Sequence, residues 1–192
     1  MLLMIDTNII LDVLLQREPF LEKSKEVLKL CEERKCLGLV SASAITDIFY
    51  ITRKALGSVE DTYRVLDFLL DTVKVLTVTN VDVLIALQAK AKDFEDCLMA
   101  TCAKSNKCSG IVTRNKKDFI NFDIALYSPE EIIKQLKKLL RRPPGICFSY
   151  RPPQRPHIIS ADAFPLPRTT LSLPGNQNAL KTKKTEQVLP AP

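Results

Sequence analysis

Four aspartates are the residues of this chain whose type and placement could do chemistry: Asp6, Asp47, Asp96 and Asp118. Asp6 ends the apolar run Leu2-Leu3-Met4-Ile5. Asp47 sits on Ser43-Ala44-Ile45-Thr46-Asp47-Ile48, just after Leu37-Gly38-Leu39-Val40, and Asp96 closes Asp93-Phe94-Glu95-Asp96. Asp118 follows Gly110-Ile111-Val112-Thr113, beyond Asn115. Carboxylates gathered on one rim repel each other, which raises their pKa values. A divalent cation relieves that repulsion. Mg2+ prefers oxygen ligands, keeps several waters, and is held by one or two carboxylates together with substrate phosphate. Two such ions about 3.5–4 Å apart can clamp an in-line phosphodiester displacement. Taken singly, each acid has a plainer reading. Asp6 or Thr7 can cap the helix that follows, Asp47 and Asp96 suit the positive ends of helices, and Asp12, Asp118 and Asp123 can be solvated charges.

Which reading holds depends on the elements that carry these acids. An unbroken apolar run such as Leu2–Ile5 predicts a strand buried on both faces of a parallel sheet. Further strands are expected at Leu37–Val40, Val73–Thr79, Gly110–Thr113 and near Ala125–Tyr127. Helices are expected over Asn8–Gln16, over Phe20–Lys35 behind Pro19, from a Ser43 cap to Leu56, over Val59–Leu70, Asp82–Lys90 and Cys97–Asn106, and from Pro129 to about Leu140. Arg114–Asp118 reads as a short turn. Alternation of strand and helix predicts an α/β fold: a three-layer α/β/α sandwich around a central, mainly parallel sheet. Open sheets of this kind bind ligands beyond the carboxyl ends of their strands, where Asp6 would stand.

Composition narrows the chemistry. The formal charge is +6, but residues 138–192 hold nine basic and two acidic side chains, a net of +7, and residues 1–137 hold nineteen and twenty, a net of −1. Ten of the twelve prolines and the single histidine, His157, also lie in the tail. Residues 1–140 are therefore read as the folded domain, and 141–192 as a Pro-rich, basic, disordered tail. Without histidine, the domain excludes Ser-His and Cys-His nucleophiles and His-ligated zinc. The six cysteines form no C-x-x-C pair and are read as reduced, which suits a cytoplasmic protein. Neither a signal peptide nor a stretch of transmembrane length is expected.

Asp6-Thr7-Asn8-Ile9-Ile10-Leu11-Asp12, Ser43–Ile48, Phe94-Glu95-Asp96 with Ala100 and Ala103, and Val112–Phe119 come in the order and spacing of a known family. Over residues 2–137 the chain resembles the PIN-domain nucleases, in particular the bacterial VapC-like toxin group. The resemblance implies metal-dependent cleavage of RNA with Mg2+ or Mn2+, a homodimer, and a small antitoxin as partner. It makes Asp6 and Asp96 the principal metal ligands, with Asp118 as the acid of the fourth motif. Asp47 stands where relatives more often have Glu, and Asn115 where many have Asp. Thr7, Asn8, Thr113 and Asn115 would steady water or carboxylates.

Arg53, Lys54, Arg114, Lys116 and Lys117 are the candidate phosphate contacts, or else a solvated helix face and turn. The alternative function is a catalytically degenerate fold that binds nucleic acid or protein, which Asp47 and Asn115 favour. A covalent aspartyl phosphotransferase is a weaker reading, because position 8 is Asn rather than a second Asp and no glycine-rich phosphate loop is present.

Overall fold

The computed structural model describes residues 1–140, so the basic tail lies outside the described residues. Five parallel strands form one sheet in the order β3-β2-β1-β4-β5: β1 Leu2–Ile5, β2 Leu37–Ser41, β3 Lys74–Leu76, β4 Gly110–Val112 and β5 Leu126–Tyr127. Helices α1 (Thr7–Leu14) and α2 (Leu21–Glu32) link β1 to β2, and α3 (Ala42–Leu56) and α4 (Val59–Thr72) link β2 to β3. Helices α5 (Asn80–Ala89) and α6 (Phe94–Ser105) lead to β4, a single turn α7 (Lys116–Phe119) precedes β5, and α8 (Pro129–Leu140) follows it.

The central strand explains the layering. Successive side chains of a strand point to opposite faces. Leu3 and Ile5 join one apolar cluster with α1, α2, α3, α4 and α8, while Met4 and Ile111 join another with Met99, Ala100, Cys102 and Ala103 of α6 and Phe119 of α7. Leu3, Met4 and Ile5 are all fully buried, which is why the run carries no alternation. Register sets Ile5 beside Val112, so β1 and β4 end together. On its other side β4 takes β5 closely because residue 110 is Gly: a Cβ there would meet the Tyr127 ring at 2.5 Å and the Ala125 carbonyl at 2.7 Å.

Several boundaries differ from the sequence expectation, each for a local reason. Ser41 rather than Ser43 caps α3, its hydroxyl accepting from the Ala44 N–H at 3.3 Å, with Ser43 Oγ 3.0 Å from it. The helix therefore starts at Ala42, and Asp47 falls in its second turn. Pro19 follows a cis peptide bond ahead of α2, which begins two residues later at Leu21. The strand expected over Val73–Thr79 is a three-residue edge strand. Thr79 leaves the sheet to cap α5, accepting from the Asp82 N–H at 3.2 Å while Asp82 accepts from the Thr79 N–H at 2.8 Å. Cys31, Cys36, Cys97, Cys102 and Cys108 are free thiols, and the first two bring their Sγ atoms within 3.5 Å. No helix among the described residues is long and apolar enough to cross a membrane.

Candidate metal centre

Asp6 shows how local folding makes a site. It follows the last residue of β1 in extended backbone and caps α1, its Oδ1 accepting from the Asn8 N–H at 3.1 Å. Its Oδ2 accepts from the Thr113 hydroxyl at 2.7 Å, just past the end of β4. The helix-cap reading and the site reading are thus both true of one carboxylate. Asp6 is buried, and burial pushes its pKa up, opposed by the hydrogen bonds from Thr113 and Asn8 and by the charge of Arg114. The Asn115 N–H donates to the Thr113 oxygen at 2.9 Å. A relay therefore runs from the loop after β4 into the Asp6 carboxylate.

Asp96 enters from the other layer. Asp93 caps α6, accepting from the N–H groups of Glu95 and Asp96 at 2.9 and 3.2 Å, which sets both acids on the first turn. The Asp96 carboxyl is pushed up to about 7, first by burial and then by the negative charges of Asp93, Asp6, Asp118 and Glu95. Glu95 is raised as well, by burial and by Asp47, Asp93 and Asp6. The structure thus brings Asp6 and Asp118 within electrostatic reach of Asp96, and Asp47 within reach of Glu95. Among the described residues, no Lys or Arg forms an ion pair with Asp6, Asp47, Glu95 or Asp96.

These donors fit a hard divalent cation. All are oxygens, they repel each other, and the buried Thr7 hydroxyl, next to Asp6 in the chain, has no hydrogen-bond partner. Among the described residues no group of three or more His, Cys, Asp or Glu side chains is drawn close enough to hold an ion. Asp118 is exposed on α7 and accepts from the Asn115 side-chain amide. Asn8 is half-buried beside Asp6.

The candidate phosphate contacts scatter. Arg53 and Lys54 lie in the last turn of α3, about 16–18 Å along the helix from its first residue at a rise of about 1.5 Å per residue, and so remote from the rim. Lys116 is ion-paired with Glu131. Lys117 is exposed beside Asp118. Arg114 is drawn away from solvent: its Nε lies 3.0 Å from Asp12 Oδ2, and its guanidinium stacks 3.9 Å over the Phe20 ring. Asp12, read as a solvated charge, is fully buried, and Ser24 Oγ also donates to its Oδ2 at 2.9 Å.

Two features here are not assigned by sequence alone. Glu95 lies inside the third motif without an expected role. Its signal was the run of three acids within Asp93-Phe94-Glu95-Asp96 at a helix start. The Asp12–Arg114 pair had no local signal at all, since its partners are far apart in the chain.

The profile of the PIN domain family matches residues 3–117. Three solved structures share the fold. A toxin-antitoxin complex from Klebsiella pneumoniae superposes with a TM-score of 0.51 at 18% identity, covering 66% of this chain and 96% of that one. VapBC2 from Rickettsia felis, bound to a promoter DNA fragment, gives 0.54 at 18%, covering 67% and 98%. DNA-bound VapBC from Salmonella typhimurium gives 0.54 at 22%, covering 67% and 99%. No curated protein matches the chain. With an all-parallel five-stranded sheet and a profile match spanning more than half its length, the chain belongs to the PIN domain family.

Proposed function

We propose that the rim is the active site of a divalent-metal-dependent endoribonuclease. The observation that carries this reading is the crowding of acids about the first turn of α6: burial, then the negative charges of Asp93, Asp6, Asp118 and Glu95, push Asp96 up to about 7, and among the described residues no Lys or Arg is ion-paired with Asp6, Glu95 or Asp96. Asp6 and Asp96 would be the principal ligands of Mg2+ or Mn2+, with Asp118 and Asp47 completing the set. When bound, such an ion supplies an activated water and charge relief for the leaving oxygen. This chain's own residues do the positioning. Thr113 and the Asn8 N–H fix the two oxygens of Asp6, Asn115 holds Asp118, and Asp93 orients the first turn of α6. Lys117 offers charge to the RNA backbone. In cleavage assays on single-stranded RNA with Mn2+, Asp6→Asn should abolish turnover while leaving the fold intact. Equal turnover by that variant, or full turnover in EDTA, would overturn the reading.

A second reading, a binding module without catalysis, draws support from Asn115, whose amide occupies an Asp118 oxygen, and from Asp47 in place of a longer Glu. It predicts no carboxylate-dependent heat on titration with Mn2+.

The solved structures sharing this fold are complexes of toxin and antitoxin, and a toxin role with a small antitoxin partner extends the proposal. Its support lies on α5, which is apolar yet leaves Val81, Leu84, Ile85 and Leu87 exposed, and on Tyr50 and Tyr63 of α3 and α4. Such surface suits a protein partner, whether an antitoxin or a second copy in a homodimer. A sedimentation measurement on the purified chain, alone and with a candidate partner, tests this part separately.

A further inference from the structure

We propose that Arg114 is a positioning residue, clamped by buried Asp12 so that its two chain neighbours hold Asp6 in place. As a role in catalysis this rests on the ribonuclease reading. Its geometry stands alone. Arg114 lies between Thr113, whose hydroxyl donates to Asp6 Oδ2 at 2.7 Å, and Asn115, whose N–H donates to that same hydroxyl oxygen at 2.9 Å. The Arg114 side chain takes the opposite course. It passes over the Phe20 ring at 3.9 Å and ends 3.0 Å from Asp12 Oδ2, an oxygen that also accepts from Ser24 at 2.9 Å. Arg114 thereby fastens the loop after β4 to the second half of α1 and to the start of α2.

Chemistry argues against a phosphate grip. A guanidinium that contacts RNA presents its fork to solvent. Here the Arg114 side chain is 24% exposed, and its countercharge, Asp12, is 0% exposed. Asp12 Oδ1 is buried with no partner, so withdrawing Arg114 toward RNA would strand a charge in the core. Supporting groups that orient a metal ligand typically change affinity or activity by about 10–100-fold when removed.

The test compares Arg114→Gln, Arg114→Lys, Asp12→Asn, the Arg114→Gln/Asp12→Asn double variant and Lys117→Gln in the full chain. Cleavage of a single-stranded RNA oligonucleotide with Mn2+ gives kcat and KM. Affinity for the same RNA in EDTA at several salt concentrations gives the salt slope. Amide hydrogen exchange at Asn8 and Asn115 reports the relay whether or not RNA is cleaved.

The expected result is a kcat lower by about 10–100-fold in Arg114→Gln and in Asp12→Asn, with KM and salt slope unchanged. The double variant should lose no more than the worse single one, because the two residues act as one unit. Exchange at Asn115 and Asn8 should accelerate while β2 amides stay protected, and Arg114→Lys should recover much of that protection. Lys117→Gln should instead lower the salt slope by about 0.7, the loss of one phosphate contact on a single strand. Arg114→Gln with normal protection at Asn115, raised KM and a salt slope lowered by about 0.7 would make Arg114 a phosphate contact and overturn the proposal. If the wild-type chain cleaves no RNA, the ribonuclease reading falls, and unchanged exchange at Asn8 and Asn115 would still overturn the clamp.

Discussion

Asp6 caps the start of α1 and Asp12 lies in its second half; both are buried, and both are pushed up in pKa chiefly by that burial. Their surroundings then diverge. Asp12 meets a cation, Arg114, and a hydroxyl, Ser24, and the charge of Arg17 also acts on it. Asp6 meets two hydrogen-bond donors and lies within reach of Asp96 and Glu95. A buried carboxylate that the fold neutralises with its own arginine ties elements together. A buried carboxylate set among other carboxylates, without an arginine in contact, leaves charge for an outside cation to balance. One short helix thus carries a structural acid and a candidate ligand, and only their partners tell them apart.

The largest effects are expected from substitutions that exchange these roles. Asp6→Asn keeps the cap acceptor and removes one negative charge. It should lower Mn2+-dependent RNA cleavage by more than about 100-fold, beyond the loss of an outer-shell partner, with no fall in melting temperature. Arg114→Ala should do the reverse to the fold, costing about 3 kcal/mol in urea denaturation because it leaves Asp12 charged in the core. A destabilised Asp6→Asn beside an unaffected Arg114→Ala would show the two roles to be inverted.

A smaller effect is expected from pH. Asp96 has a folded-state pKa of about 7 against an ordinary 3.8, so between those values the folded chain binds more protons than the unfolded one. Stability in EDTA should therefore fall as pH rises from about 4 to about 7 and level off above it. Asp96→Asn should flatten that fall, and Mn2+ should offset it at pH 8. Thermal melts from pH 5 to pH 8 measure all three. A wild-type melting temperature that rises through this window would contradict the assignment.

The legible part of this architecture was what local pattern encodes. The Leu2–Ile5 run, the Asp6 cap and strand end, the short apolar run of β4 and the alternation of strands and helices all follow from neighbours in sequence. What stayed hidden depends on distance or competition. Asp12 reads as a surface charge because Arg114 arrives from the loop after β4. Cys31 and Cys36 show no recognised spacing, yet the turn into β2 brings their sulfurs together. Ser41 and Ser43 are equally good caps by type, and only the backbone at the end of β2 chooses between them. That choice gives a smaller test: Ser41→Ala should cost about 1 kcal/mol and Ser43→Ala much less. Equal costs would move the start of α3, and with it the turn on which Asp47 stands.

On the proposed reading, the acids at the strand ends form a cation site while the acid behind them does not. Calorimetric titration of the wild-type chain with Mn2+ tests it most directly, with Asp6→Asn, Asp96→Asn and Asp12→Asn as comparisons. The expected result is a saturable heat in the wild type that Asp6→Asn and Asp96→Asn abolish and Asp12→Asn only weakens. Absence of heat in the wild type, or a heat that survives in Asp6→Asn and Asp96→Asn, would contradict it.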